Sequence, residues 1–189
     1  MIALLIGPSC APPPPPSVEG AADVFRSLHR RIYDVHRQDR DRAGLHAWLA
    51  GSFDGEALTE QYVTAFRTGR RLAAQDAAID VRKVEYGAIH SLPAPDGVAR
   101  LDVTWSVGGV LHHGEHRHAR VNQYRAIYDL AQTSAGPRIV AARMRSASRL
   151  RHPILEGGAF DLFTPEADGP GAFLDPVDLM DTVPLGVTP

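Results

Sequence analysis

Cysteine is nearly absent. Cys10 is the single one in the chain, so no intrachain disulfide can form and a thiolate-based zinc cluster lacks its ligands. Lysine is also scarce. Lys83 is the only one, and arginine carries the rest of the positive charge. No run of about 18 apolar residues occurs, so the sequence contains no candidate for a membrane-spanning helix. Glycine-rich phosphate loops, a Gly-x-Ser-x-Gly elbow and internal repeats are missing as well. The net charge of −2 and pI near 6.5 do not form the basic footprint of a nucleic-acid binder. Together these absences exclude several function classes and leave a binding role ahead of a catalytic one.

What is present is enough for one domain with tails. The 189 residues are 44% hydrophobic, which can fill a real core. Three regions are expected: residues 1–18 as leader and linker, 19–151 as an α+β domain, and 152–189 as an extended tail rich in Gly, Pro and acidic residues. The opening "MIALLIGPSCAPPPPPS" sets an apolar run before Cys10 and five prolines after it. Such a proline run is a semi-rigid polyproline spacer. The arrangement resembles a bacterial lipoprotein signal, in which Cys10 would be lipidated, although no basic residue precedes the apolar run and Gly7-Pro8 is unusual there. It implies an exported protein on the periplasmic face of a bacterial membrane, held by a lipid anchor.

Helical periodicity dominates the first half. Val24, Phe25, Leu28, Ile32 and Val35 share one face of a first helix. Leu45, Trp48 and Leu49 line a second helix, which Gly51 ends. Asp54 caps a third helix that buries Leu58, Tyr62, Val63 and Phe66. The period then changes to two. "AIDVRKVEYGAIH" is a strand with an irregularity near Lys83, and "LPAPDGV" is a turn. In "ARLDVTWSV" Leu101, Val103, Trp105 and Val107 alternate with polar residues. Gly108-Gly109 and Gly114 are expected to bracket an irregular connection. Strands from His116 to Leu130 and over "RIVAARMRSASRL" complete the set. Three N-terminal helices packed on a curved four-stranded antiparallel sheet follow from this order.

Four of the nine histidines fall in "LHHGEHRHARVNQY". On a strand, His116, His118, Arg120, Asn122 and Tyr124 project to one side. With Trp105 they form the candidate binding surface, graded from charged to aromatic. The competing chemistry is metal: His112, His113, His116 and His118 could hold zinc or copper, because His-x-His presents two imidazoles to one side. Two histidines alone leave such a site short of ligands, and Arg120 adds positive charge beside it. Acid–base catalysis needs a carboxylate within reach of a histidine, and Asp102 and Glu85 are the candidates. Either is also a candidate partner for the Arg120 guanidinium.

The tryptophan strand, the glycine turn and the His-x-His-x-Arg-x-Asn-x-Tyr series, together with the helical segment from Leu28 to Arg67, resemble a group of uncharacterised exported bacterial proteins. Their domain is nuclear-transport-factor-2-like, also termed cystatin-like. The likeness covers about residues 24–150 and departs at "LHHGEH", where Glu115 is additional and His113 replaces an aromatic. It implies a fold and an exported location, and no activity. The resulting expectation is a non-catalytic exported module, an accessory subunit of an envelope complex or a binder of a small ligand, with no cofactor. The alternative is a metal-binding protein or metalloenzyme.

Overall fold

The structure, a computed structural model, describes residues 18–35, 41–114 and 116–151. Residues 1–17, Cys10 among them, and the tail 152–189 lie outside the described residues. Helix α1 (Val18–Arg30) runs into a 3-10 turn at Arg31–Asp34, and α2 (Arg42–Ala50) and α3 (Gly55–Ala74) follow. Four strands come next: β1 (Ala77–Leu92), β2 (Val98–His113), β3 (His116–Thr133) and β4 (Gly136–Arg151). They pair in sequence order as one antiparallel sheet. This is the α+β class expected: three helices on a curved, unclosed four-stranded sheet.

The central pair sets the register. β2 and β3 match residue for residue from Val98↔Ala131 to His113↔His116 with no shift. The outer strands carry the irregularities. β1 slips between Val81 and Lys83 and again between Tyr86 and Ile89. β4 bears extra residues opposite Val121/Asn122, Arg125/Ala126 and Asp129/Leu130. An extra residue on one strand bends it and increases the local twist, so bulged outer strands curl around a regular centre. The expected irregularity near Lys83 is the first of these.

Alternation then fills the concave side. Leu101, Val103, Trp105 and Val107 of β2 are buried, as expected, against Tyr124, Ala126, Tyr128 and Leu130 of β3. Phe25, Leu28, Ile32, Tyr33 and Val35 close this core from above. The α2–α3 linker is stitched to the start of β4. Ile139 N–H donates to Ser52 O at 2.9 Å, Asp54 N–H donates to Ile139 O at 3.0 Å, and Phe53 is buried between them. Asp54 caps α3 as expected, through Gly55 N–H.

Two expectations are corrected. The core face of α3 consists of Ala57, Gln61, Ala65, Thr68 and Leu72, not Leu58, Tyr62, Val63 and Phe66. Small side chains let the helix lie close to its support, and the larger ones flank the contact. Leu58 and Tyr62 are half-buried beside the core, while Val63 is exposed. Arg42 of α2 covers the Phe66 ring, and His46 meets Tyr62 edge-on. Second, Gly108-Gly109 do not leave the sheet, since β2 continues to His113. A Cβ at Gly109 would lie 2.8 Å from Asp80 O. Glycine is therefore required where the β1 bulge presses its backbone against β2. Only Gly114, at φ 53, begins a turn.

Trp105 is 1% exposed, stacks on Tyr124 at 5.2 Å and donates from Nε1 to the Tyr33 hydroxyl at 2.6 Å. Trp105→Ala is expected to destabilise the fold by about 3–5 kcal/mol, read as a lower urea midpoint. A loss below about 1 kcal/mol would contradict its place at the centre of the core.

Candidate functional site

The concave face divides along the strands into a dry half and a cationic half. The dry half centres on His29, which is fully buried and lies on the α1 face that also carries Phe25 and continues to Ile32 of the 3-10 turn. Its Nδ1 is 3.0 Å from the Tyr86 hydroxyl and its Nε2 is 3.0 Å from the Tyr128 hydroxyl. One proton arrangement satisfies every group. Tyr128 donates to Nε2, Nδ1–H donates to Tyr86, and Tyr86 donates to Arg26 O at 3.5 Å. Phe25 stacks on the imidazole, and Tyr33 and Trp105 meet it edge-on. Desolvation lowers the His29 pKa from 6.5 to about 3, which keeps the ring neutral. The same burial pushes the Tyr33 and Tyr128 hydroxyls well above their usual range, so neither supplies a phenolate near neutral pH. This is a structural clamp between α1 and the sheet. The sequence analysis missed it, although the i, i+4, i+7 spacing of Phe25, His29 and Ile32 already placed the histidine on the apolar stripe.

Toward the free end of β2 and β3 the same face turns polar. Asn122 is 5% exposed and donates from Nδ2 to the Tyr124 hydroxyl at 2.9 Å. The next positions on this face, Arg120 and His118, are half-buried. Arg149 of β4 stands opposite Asn122 and is half-buried too. His113 stacks on His118, rings 4.8 Å apart and 11° from parallel. In the backbone ladder position 116 pairs with His113.

The expected surface is therefore only partly a surface. His118, Arg120, Asn122 and Tyr124 do share one face, in line with the two-residue period. Trp105, Asn122 and Tyr124, however, are interior, because the helices cover that part of the sheet. Arg149, which no motif signalled, joins the set through the β3–β4 register. Of the candidate metal ligands, His112 falls on the opposite face from His113 and His118, since neighbours on a strand point apart. Among the described residues no group of three or more His, Cys, Asp or Glu is placed to hold a metal ion.

The expected carboxylate partners are also elsewhere. Asp102 receives a two-pronged bond from Arg125 at 2.9 and 2.7 Å on the convex face, and that hydrogen bonding holds its pKa below the usual value. Glu85 pairs with Lys83 at 2.6 Å. Asp129 is bound in the same two-pronged way by Arg100. By register Asp80, Glu85, Asp102 and Asp129 all belong to the convex side. No strand carboxylate thus shares the face of Arg120, Arg149, His113 and His118. This arrangement gives hydrogen-bond donors and positive charge for an anionic group, with planar guanidinium forks suited to carboxylates.

No family model matches the chain, and no curated protein matches it. Among solved structures, the crystal structure of the intermembrane space region of the chloroplast protein ARC6 is similar, with a TM-score of 0.50 and 16% identity. The match covers 69% of this chain and 98% of that one. At that identity the likeness supports the fold alone.

The neutral His29 generates a pH prediction. Its folded pKa is depressed, so its contribution is fully present above about pH 6.5 and is lost as pH falls toward about 3. The loss is about 1.4 kcal/mol per pH unit across that window. Urea unfolding of wild type and His29→Gln at pH 7, 5 and 4 is expected to show the gap between them closing as pH falls. Parallel stability profiles would contradict a neutral buried imidazole.

Proposed function

We propose that the chain is a non-catalytic exported module, an accessory or assembly subunit of a bacterial envelope complex. It binds a carboxylate-bearing segment of a partner at the cationic end of its concave face. The carrying observation is the gathering of Arg120, Arg149, His113 and His118 on one face, with every strand carboxylate on the other. The dry half is committed to the core, and its groups satisfy one another around His29. That suits a rigid support for a binding end rather than a reaction centre. The resemblance to exported nuclear-transport-factor-2-like proteins and the lipoprotein-like start support the envelope location.

A fluorescein-labelled hexaglutamate peptide is a direct probe. The full chain is expected to bind it in a salt-sensitive manner. Arg120→Gln with Arg149→Gln should weaken binding about tenfold or more, a change of about 1.4 kcal/mol. His112→Gln, on the other face, should leave it unchanged. Equal binding by all variants would sink the proposal. His116→Gln with His118→Gln is expected to leave folding largely intact while weakening association. Stoichiometric zinc or copper in the purified wild type, lost in that double variant, would favour the metal reading instead. For the anchor, Cys10→Ala should move the protein from the membrane fraction to the soluble envelope fraction, and unchanged membrane association would point to a different attachment.

A further inference from the structure

The convex face of the sheet, opposite the helices, is stratified in charge. Two of its carboxylates lie low. The Asp102 and Asp129 side chains are 13% and 10% exposed, and each is gripped in two-pronged fashion, Asp102 by Arg125 and Asp129 by Arg100. The guanidinia stand above them, with the Arg125 and Arg143 side chains 56% exposed. Ion pairing accounts for Arg100 and Arg125 but leaves a surplus. The Arg143 Nη2 is 3.9 Å from Asp129, too far for a hydrogen bond. Arg145, the exposed extra residue of the β4 bulge between Met144 and Ser146, forms no ion pair among the described residues. It nonetheless acts on this side of the sheet. The Arg125 hydrogen bonds lower the Asp102 pKa, and the charges of Arg125, His90 and Arg145 lower it further. Gln123, Ser146 and Ser148 lie between these cations and are exposed. What meets solvent over β3 and β4 is therefore a layer of N–H and O–H groups with net positive charge.

The face also lacks what other anionic partners need. Among the described residues no Phe, Tyr or Trp lies on it, because Tyr86, Trp105, Tyr124 and Tyr128 all project to the concave side. A single-stranded nucleic acid would find no ring to stack on. Val121 and Ile127 are buried, and Leu150 is the one exposed large apolar side chain of the described strands. The apolar centre of a protein–protein contact is thus missing as well. An anionic bilayer surface needs neither feature. Its headgroups diffuse to the guanidinia, and each arginine near the surface adds its own contribution.

We propose that the convex face over β3 and β4 docks on anionic phospholipid headgroups, with Arg143 and Arg145 as the principal contacts. Arg100 and Arg125 hold the carboxylates down and so keep the outer layer positive. Because this face lies opposite the helices, docking leaves the concave side turned away from the lipid. The surface is a second one, beyond the proposed partner-binding end, and does not depend on that reading.

The test is co-sedimentation of the full chain with vesicles, using Cys10→Ala so that no acyl chain contributes. Vesicles of phosphatidylglycerol and phosphatidylcholine in equal parts are expected to bind it, and vesicles of phosphatidylcholine alone are not. Binding should fall away at about 0.5 M salt. Arg143→Gln with Arg145→Gln is expected to weaken it about tenfold or more. Neither side chain makes a hydrogen bond to a buried carboxylate, so the urea midpoint should hold. Ser146→Glu with Ser148→Glu removes no arginine and should weaken binding as well. Arg120→Gln with Arg149→Gln, or saturation with hexaglutamate, should leave it within about twofold. Unchanged affinity in the Arg143 and Arg145 variant, or equal binding to the neutral vesicles, would overturn the proposal. Loss of binding through Arg120 and Arg149 instead would move the lipid contact to the concave end and overturn it too. Hexaglutamate shifts centred on Arg143 and Arg145, without vesicle binding, would replace the lipid by an acidic protein partner. No vesicle binding, with hexaglutamate still acting through Arg120, would sink this inference and leave the proposed function standing.

Discussion

The neutral imidazole of His29, held between the Tyr86 and Tyr128 hydroxyls, is the contact on which the arrangement depends. A buried histidine is costly if charged and costly if its nitrogens are left unmatched. Here both nitrogens find hydroxyls on two different strands, β1 and β3, which are not neighbours in the sheet. Satisfying them fixes α1 over the sheet at one height and one rotation. Phe25, Tyr33 and Trp105 then pack around the ring, and the Trp105–Tyr33 bond extends the same network into β2. Apolar burial supplies most of the favourable free energy of such a core. The hydrogen bonds select which packing is adopted, because any shift of α1 would strand several buried polar groups at once.

That clamp determines where the sheet can bind. The aromatic half lies under α1 and has its polar atoms paired internally. The strands are longer than the covered region, however, and the same alternation that delivers Trp105 and Tyr124 to the core delivers Asn122, Arg120 and His118 to the continuation of that face. Opposite charges are kept apart by the pleat. The strand carboxylates take Arg100, Arg125 and Lys83 on the convex side, while Arg120 and Arg149 stand on the concave side. The result is a rigid domain with a charged end. That end suits the proposed recognition of negative groups.

Much of this fold was legible from period alone. The shift from 3.6 to 2 marked the helix–sheet boundary. The alternation in "ARLDVTWSV" placed Trp105 inside, and the unbroken period from His116 put His118, Arg120, Asn122 and Tyr124 on one face. The rotation of α3 was not legible, because apolar count favours Leu58, Tyr62 and Phe66, whereas close approach favours Ala57 and Ala65. Gly108-Gly109 imitated a turn because a bulge in another strand demands the missing side chain at Gly109, and that demand is not local. His29 was hidden for a related reason: a histidine on an apolar stripe is informative only when the tyrosines that satisfy it are known. Arg149 needed the β3–β4 register, which two bulges displace before it reaches Asn122.

The central claim is that the concave face has two independent halves, one committed to stability and one to binding. Chemical-shift mapping of the full chain with hexaglutamate tests it most directly. Trp105 supplies a reporter in the dry half through its indole N–H, bonded to Tyr33, and the amides of His113, His118, Arg120 and Arg149 report on the other. The account predicts that shifts concentrate at the latter residues while the Trp105 indole signal and the His29 ring stay in place. Shifts centred on Arg100, Arg125 and Arg143 of the convex face, or spread through the Trp105 network, would contradict it.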